Sequence, residues 1–241
     1  MNTASFSISE ALGFGWAMVK EKFLFLLAII VVSGVFAVVP DVIDNFTDNQ
    51  GVLFFMQVVS VVLGFVIDAG LISVMLSLYD GRAVKIADIF SQYPITFRYF
   101  VANVVYGIMV FAGLLLLVIP GVYLALRYQF YKYFLIDKRT DVVESLRESA
   151  RITEGHKWQL LRFALVILAV NLLGFLALIV GLLVTMPLSM LATVYVYRKL
   201  SSPIAETESE QEEKEFLAPI EKESPVIEKV PDSIESLAPI E

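Results

Sequence analysis

Asp68 lies inside a long apolar run, Val52 to Leu78, with no other ionisable residue in that run. A carboxylate at membrane depth faces the interior of a helix bundle and takes a partner. Arg127 and Lys132 interrupt a second apolar run, Val122 to Ile136, and are the candidate partners. Depth separates them weakly. At helical rise Asp68 lies about 24 Å from the start of its run, Lys132 roughly 17 Å beyond the Pro120 turn, and Arg127 about 10 Å beyond it. Lys132 is the nearer match. Two roles suit these residue types: an intramembrane ion or proton site, or a structural pair whose long side chains snorkel to the interface.

The second run carries further polar tips: Tyr123, Tyr128, Gln129, Tyr131 and Tyr133. That is more polarity than a lipid-facing helix tolerates, so the helix is predicted inside the bundle or along a polar cavity. Asn103 and Asn171 are placed to make interhelical hydrogen bonds of around 1 kcal/mol. His156 is the sole histidine and there is no cysteine, which leaves no donor set for a metal centre. The sequence holds no GxxxxGK[ST] phosphate loop, nucleophile elbow or zinc-helix motif. No catalytic set of acid, base and nucleophile converges. Neither enzyme activity, cofactor nor metal is expected.

The elements that must position these residues are membrane helices. The chain has 241 residues, 58% of them hydrophobic and 18% charged, against about one-half and one-quarter in soluble domains. The excess is gathered in runs approaching or exceeding the roughly 20 residues that cross a bilayer. The runs are Phe23 to Val39, Val52 to Leu78, Phe100 to Ile119, Val122 to Ile136, and Leu160 to Tyr197. The last would be about 57 Å long as one helix, so a turn is placed near Gly181. Met1 to Val19 holds no Lys or Arg, so the first run reads as a retained helix and not a cleaved signal. Six crossings are predicted.

Lys and Arg are retained on the cytoplasmic side, and their distribution alternates. Lys20 and Lys22 precede helix one; Arg82, Lys85 and Arg98 lie between two and three; Lys138, Arg139, Arg147, Arg151 and Lys157 lie between four and five; Arg198 and Lys199 end helix six. The 40–51 loop and the turns at Pro120 and Gly181 hold none. Both termini are therefore predicted in the cytoplasm. Trp16, Tyr79, Tyr99, Trp158, Tyr195 and Tyr197 are expected at that interface.

Segments 7–22, 85–100 and 141–156 precede helices one, three and five and align on Glu10, Asp88 and Glu144. Each reads as an amphipathic helix, with capping-box spacing at Ser7/Glu10 and Asp141/Glu144. Glu144/Arg147 and Glu148/Arg151 place opposite charges at i,i+3. Three copies of one unit are predicted, each a cytoplasmic-face helix followed by a hairpin. Residues 1–200 form a helical membrane domain of net charge +2 and residues 201–241 an acidic tail of net charge −9. Low hydrophobicity and high charge predict a disordered tail. The tail repeats LAPIE at 217–221 and 237–241, with SPVIEK at 224–229 as a looser relative. These repeats read either as drifted low complexity in a solvated tail or as docking motifs for a cytoplasmic protein partner, and the tail's charge repels nucleic acid. Asn45-Phe46-Thr47 matches a glycosylation acceptor.

One stretch, Ile119-Pro120-Gly121-Val122-Tyr123-Leu124-Ala125-Leu126-Arg127, belongs to a wider series. The series includes Glu10-Ala11-Leu12-Gly13-Phe14-Gly15-Trp16, Asp80-Gly81-Arg82, Asp137, Glu144 to Ser149, Thr153 to Trp158, Gly181 to Pro187 and Tyr197-Arg198. It resembles a group of prokaryotic polytopic membrane proteins related to the membrane domain found beside some glycerophosphoryl diester phosphodiesterases. The resemblance implies an all-α bundle of about six helices in the cytoplasmic (inner) membrane. It brings no catalytic residue, because no segment matches the phosphodiesterase motifs. The function expected is a non-enzymatic scaffold or accessory subunit of a membrane complex. The alternative is a transporter or channel for a small molecule or lipid, favoured by Asp68 and the repeated architecture. Substrate, partner and oligomeric state do not follow from the sequence.

Overall fold

A computed structural model of the chain describes residues 6–44, 49–177 and 180–223, and the regular structure among them is all helical. Helix α1 (Ile8–Glu21) leads through Lys22 into α2 (Phe23–Asp44), followed by α3 (Gln50–Tyr79). The Asn49 side chain caps α3, accepting from the Gly51 and Val52 N–H groups at 3.0 and 3.3 Å. Two 3-10 turns, Ile86–Phe90 and Tyr93–Ile95, lead into α4 (Thr96–Leu116). Then come α5 (Val118–Tyr128), α6 (Tyr131–Asp137), α7 (Val142–Thr153), α8 (Lys157–Leu176) and α9 (Val180–Glu223). Four stretches are long and apolar enough to cross a membrane: Gln50–Tyr79, Ile86–Leu116, Lys157–Leu176 and Val180–Ser202. A shorter apolar helix covers Phe23–Phe36.

Burial is lopsided along these helices. The first half of α3 is open, with Phe54 72% exposed, whereas its buried positions lie between Val66 and Leu78. In α9 Val180 and Met186 are exposed, and the buried residues fall between Pro187 and Ser201. Helix α6 is buried at Tyr131, Tyr133, Phe134, Leu135 and Ile136, and α7 along its Ser145–Ser149–Ile152 face. The packed core thus lies at one end of the bundle, where α1, α6 and the last turns of α3 meet α9 and α7 packs on α6. That end also carries Arg82, Arg98, Lys138, Arg139, Lys157 and Arg198, and is called the basic end below. Away from it, large apolar side chains such as Leu115, Leu116, Leu172 and Phe175 point outward, as lipid contact requires.

Glycine permits two close approaches. A Cβ on Gly70 would stand 1.6 Å from the Ile89 carbonyl oxygen, so the first 3-10 turn lies directly against α3. Where α4 doubles back into α5, a Cβ on Gly113 would stand 2.9 Å from the Gly121 Cα. Small residues of this kind let membrane helices come together without a hydrophobic driving force.

Several expectations are corrected. The fourth apolar run is two helices, broken at Gln129–Phe130. The Phe130 N–H donates to Ser149 Oγ at 3.0 Å. The Ser149 and Thr153 hydroxyls donate to the Arg127 carbonyl at 3.2 and 2.9 Å. Side chains from α7 thus take backbone groups at the break, which is what makes a broken helix tolerable away from water. The segment 85–100 does not begin as an amphipathic α-helix. Asp88 folds back to accept the Lys85 N–H at 2.7 Å, and Pro94 lacks the N–H an α-helix needs, so the chain closes two 3-10 turns instead. The capping boxes do not form: neither the Ser7 nor the Asp141 side chain caps its helix. Ser7 pairs with Ser9, and Asp141 with Arg98 at 3.4 Å. The charge pairs on α7 are present, Arg147–Glu144 at 3.1 Å and Arg151–Glu148 at 3.6 Å.

The chain divides into two compact units, Met1–Ser201 and Ser202–Glu241. The α9 backbone remains helical through Glu223, where disorder was expected from residue 201. The stretch Glu206 to Glu215 is dominated by Glu, Gln and Lys, which have high helix propensity. That local preference needs no apolar core. The acceptor Asn45–Thr47, SPVIEK and the second LAPIE lie outside the described residues.

Candidate functional site

Asp68 stands where the open half of α3 gives way to its buried half. Its Oδ2 accepts from Lys132 Nζ of α6 at 2.8 Å and from the Tyr99 hydroxyl of α4 at 2.5 Å. The ammonium also lies 5.5 Å from the Tyr99 ring centroid. Tyr99 is fully buried. The Asp68 and Lys132 side chains are 44% and 29% exposed. Three helices are thus tied by one carboxylate oxygen. An extension follows along α4: Asn103 donates to the Tyr99 carbonyl at 2.8 Å and accepts from the Tyr131 hydroxyl at 2.9 Å. Tyr131 stacks on Tyr106 with centroids 4.8 Å apart. Asn171 reaches Ser189 Oγ at 2.8 Å, tying α8 to α9. These are the interhelical bonds predicted for the two asparagines. A cavity of about 290 Å³ opens beside Asp68 between α2 and α3, lined also by Ser33, Ser60, Gly64 and Leu71.

Arg127 is not in this cluster. It lies in the last turn of α5, and its Nη1 donates to the Tyr123 hydroxyl one turn earlier at 3.2 Å. Lys157, at the start of α8, donates to the same hydroxyl at 2.8 Å. Of the three polar residues singled out from sequence, the fold therefore brings together Asp68 and Lys132 and sends Arg127 to another face. The break between α5 and α6 separates the two cations, which a continuous helix would have kept in line.

A second ionic network at the basic end joins residues that sequence reading used only for orientation and likeness. Arg198 of α9 grips Asp137 of α6 in a two-toothed contact, Nη1 to Oδ2 at 2.8 Å and Nη2 to Oδ1 at 3.0 Å. Its Nη2 also reaches Asp80 Oδ2 at 2.8 Å, and Arg82 meets the same oxygen at 2.6 Å. The Tyr197 hydroxyl donates to Asp137 at 2.9 Å. Tyr197 is fully buried among Phe130, Tyr133 and Phe134, and stacks on Tyr133 at 5.3 Å. Tyr99 and Tyr197 are hence core residues with bonded hydroxyls and not interfacial anchors, whereas Trp16 and Trp158 are 48% and 75% exposed. Planar guanidinium–carboxylate forks fix orientation as well as distance. The available signal was positional: Asp80, Asp137 and Arg198 each sit at the same end of an apolar run.

The same end gathers α1. Glu10 accepts from the Tyr195 hydroxyl at 2.9 Å, and Phe14 lies against Tyr79 and Tyr195 with centroids 5.1 and 5.6 Å apart. Gln159 binds the Phe6 carbonyl. What the arrangement does chemically is hold helices in register. Asp68 and Asp137 each have their charge met by a cation and a buried phenol.

No family model matches this chain, and no solved structure does. Three similar curated proteins are each 30% identical over 156 residues, covering 64% of this chain and 48% of their own length. One is an uncharacterised protein of Mycobacterium bovis, and two are uncharacterised proteins of Mycobacterium tuberculosis strains. The chain spans about half the length of the curated relatives it matches.

Proposed function

We propose that this protein is a six-span protein of a prokaryotic cytoplasmic membrane, with both termini and the basic end in the cytoplasm. Its role is that of a non-enzymatic scaffold or accessory subunit of a membrane complex. The observation that carries the reading is the position of the packed core. Helices α1 and α6 and the ends of α3 and α9 are cross-tied into a platform by Arg198, Asp137, Asp80, Tyr195 and Glu10, and α7 is bonded to the α5–α6 break through Ser149 and Thr153. The apolar remainder of the helices faces outward. A platform of this kind presents fixed surfaces on one side of a bilayer.

Two further segments support six crossings. Helix α2 has 22 residues, about 33 Å at helical rise, and Val118 to Asp137 supplies 20 residues in two consecutive helices, α5 and α6. Added to the four long stretches, these give three hairpins. The orientation follows from the Lys and Arg at the basic end. The tail, with its repeated LAPIE, is the protein-docking element. A transporter or channel is the second reading, favoured by the cavity beside Asp68, Ser33 and Ser60.

Purification in native lipid particles, with mass spectrometry of co-purifying species, tests the role. A stoichiometric protein partner that is lost on deletion of residues 203–241 is the expected result. Absence of a partner, with a bound metabolite lost in Asp68→Asn, would replace the scaffold reading by transport.

A further inference from the structure

Where α5 meets α8, two cations share one phenol oxygen. Lys157 Nζ lies 2.8 Å and Arg127 Nη1 3.2 Å from the Tyr123 hydroxyl, and the ammonium also sits 4.3 Å from the Tyr123 ring centroid. No carboxylate of the described residues lies within ion-pair distance of either cation. This is unlike Lys132 and Arg198, whose charges are met. Arg127 Nε is buried with no hydrogen-bond partner among the described residues. The first turn of α8 contains no acid, so the positive end of that helix adds to the two side chains without opposition. A single neutral phenol oxygen is a poor counterpart for two cations at the edge of an apolar medium.

The surroundings say what meets them. Next to Lys157, Trp158 is 75% exposed, and Val122 and Leu165 on the two helices are also open. An exposed tryptophan beside lysine is the composition of a membrane–water interface. The depth agrees, because the Arg127 carbonyl is bonded by the α7 hydroxyls of the packed platform. We propose that Arg127, Lys157 and the Tyr123 hydroxyl form a site for the phosphate of an anionic phospholipid of the leaflet at the basic end. The guanidinium and ammonium bind phosphate oxygens, Tyr123 turns its hydroxyl to donate a third bond, and Trp158 lies beside the glycerol region. Basic pockets between helices on this side of a membrane recognise such head groups. The site rests on the membrane reading above and is independent of the scaffold role.

The two tryptophans make a direct test. A Trp16→Phe protein leaves Trp158 as reporter and is placed in vesicles of phosphatidylcholine with a variable fraction of phosphatidylglycerol. Bromine is carried on the chains of one lipid or the other. Quenching of Trp158 is expected to report a preference of about 25-fold for phosphatidylglycerol. Each basic residue is expected to contribute about five-fold, so Arg127→Gln/Lys157→Gln falls to near parity and Lys157→Arg stays close to the parent. If the double variant does not reconstitute, Lys157→Gln alone is read, with a fall of about five-fold expected. Parity in the parent, or an unchanged preference in the variants, overturns the proposal. Loss of the preference on adding millimolar inorganic phosphate would reassign the site to free phosphate and overturn the lipid source. Failure of this test leaves the co-purification result standing, since neither depends on the other.

Discussion

The break between α5 and α6 is held by two hydroxyls of α7, and their removal has a calculable signature. Ser149 and Thr153 are completely buried. In Ser149→Ala the Phe130 N–H loses its acceptor at 3.0 Å, and a buried donor left unmet costs about 1–3 kcal/mol. The Arg127 carbonyl still has Thr153 at 2.9 Å. In Thr153→Val the shape is nearly kept and the carbonyl still has Ser149 at 3.2 Å, so about 1 kcal/mol or less is expected. The double variant strips both hydroxyls from one carbonyl. The two changes are therefore predicted to be non-additive, with an extra penalty of at least about 0.5 kcal/mol beyond the sum. At about 2–4 °C per kcal/mol for a chain of this size, Ser149→Ala lowers the melting temperature by several degrees. Thermal unfolding in detergent, followed by tryptophan fluorescence, reads all three variants. A neutral Ser149→Ala, or strict additivity, would refute the assignment of these hydroxyls to the break.

Further outcomes follow. Gly70→Ala forces a Cβ to within 1.6 Å of the Ile89 carbonyl oxygen, so it is expected to lose folded yield in size-exclusion chromatography, while Gly64→Ala, with open space around its Cβ position, is expected to keep it. Lys132→Met leaves Asp68 with Tyr99 alone and is expected to cost about 1–2 kcal/mol; both charges are partly exposed, so solvent screens the pair. Asp68→Asn/Lys132→Met is expected to recover part of that loss, and a double variant less stable than Lys132→Met would contradict the pairing.

The apolar runs made the helices legible, because hydrocarbon thickness imposes a length that few other constraints imitate. The depth comparison leaned weakly to Lys132 and left Arg127 open; the geometry pairs Lys132 with Asp68. Three things were not legible. The break at Gln129–Phe130 has no Pro or Gly to mark it; it is imposed by hydroxyls on a helix twenty residues away in sequence. The 85–100 segment has the apolar spacing of a helix, but Asp88 and Pro94 favour tight turns, and Gly70 makes room for them. The Arg198–Asp137–Asp80 network joins residues far apart along the chain, so only the shared end of their runs hinted at it. Nor did the meeting of Arg127 and Lys157 at Tyr123 show in sequence, where Arg127 read as a candidate partner of Asp68 and Lys157 only as an orientation signal.

A cytoplasmic platform requires the packed basic end to lie on the cytoplasmic side of the membrane. The natural chain contains no cysteine, so single cysteines at Phe46, Ile119, Arg82 and Ser224 can be labelled with a membrane-impermeant maleimide in intact cells and in inverted vesicles. The predicted result is labelling of Phe46→Cys and Ile119→Cys from outside, and of Arg82→Cys and Ser224→Cys only from the cytoplasmic side. Labelling of Arg82→Cys from outside, or of Phe46→Cys and Arg82→Cys from one side, would contradict the orientation and with it the cytoplasmic platform.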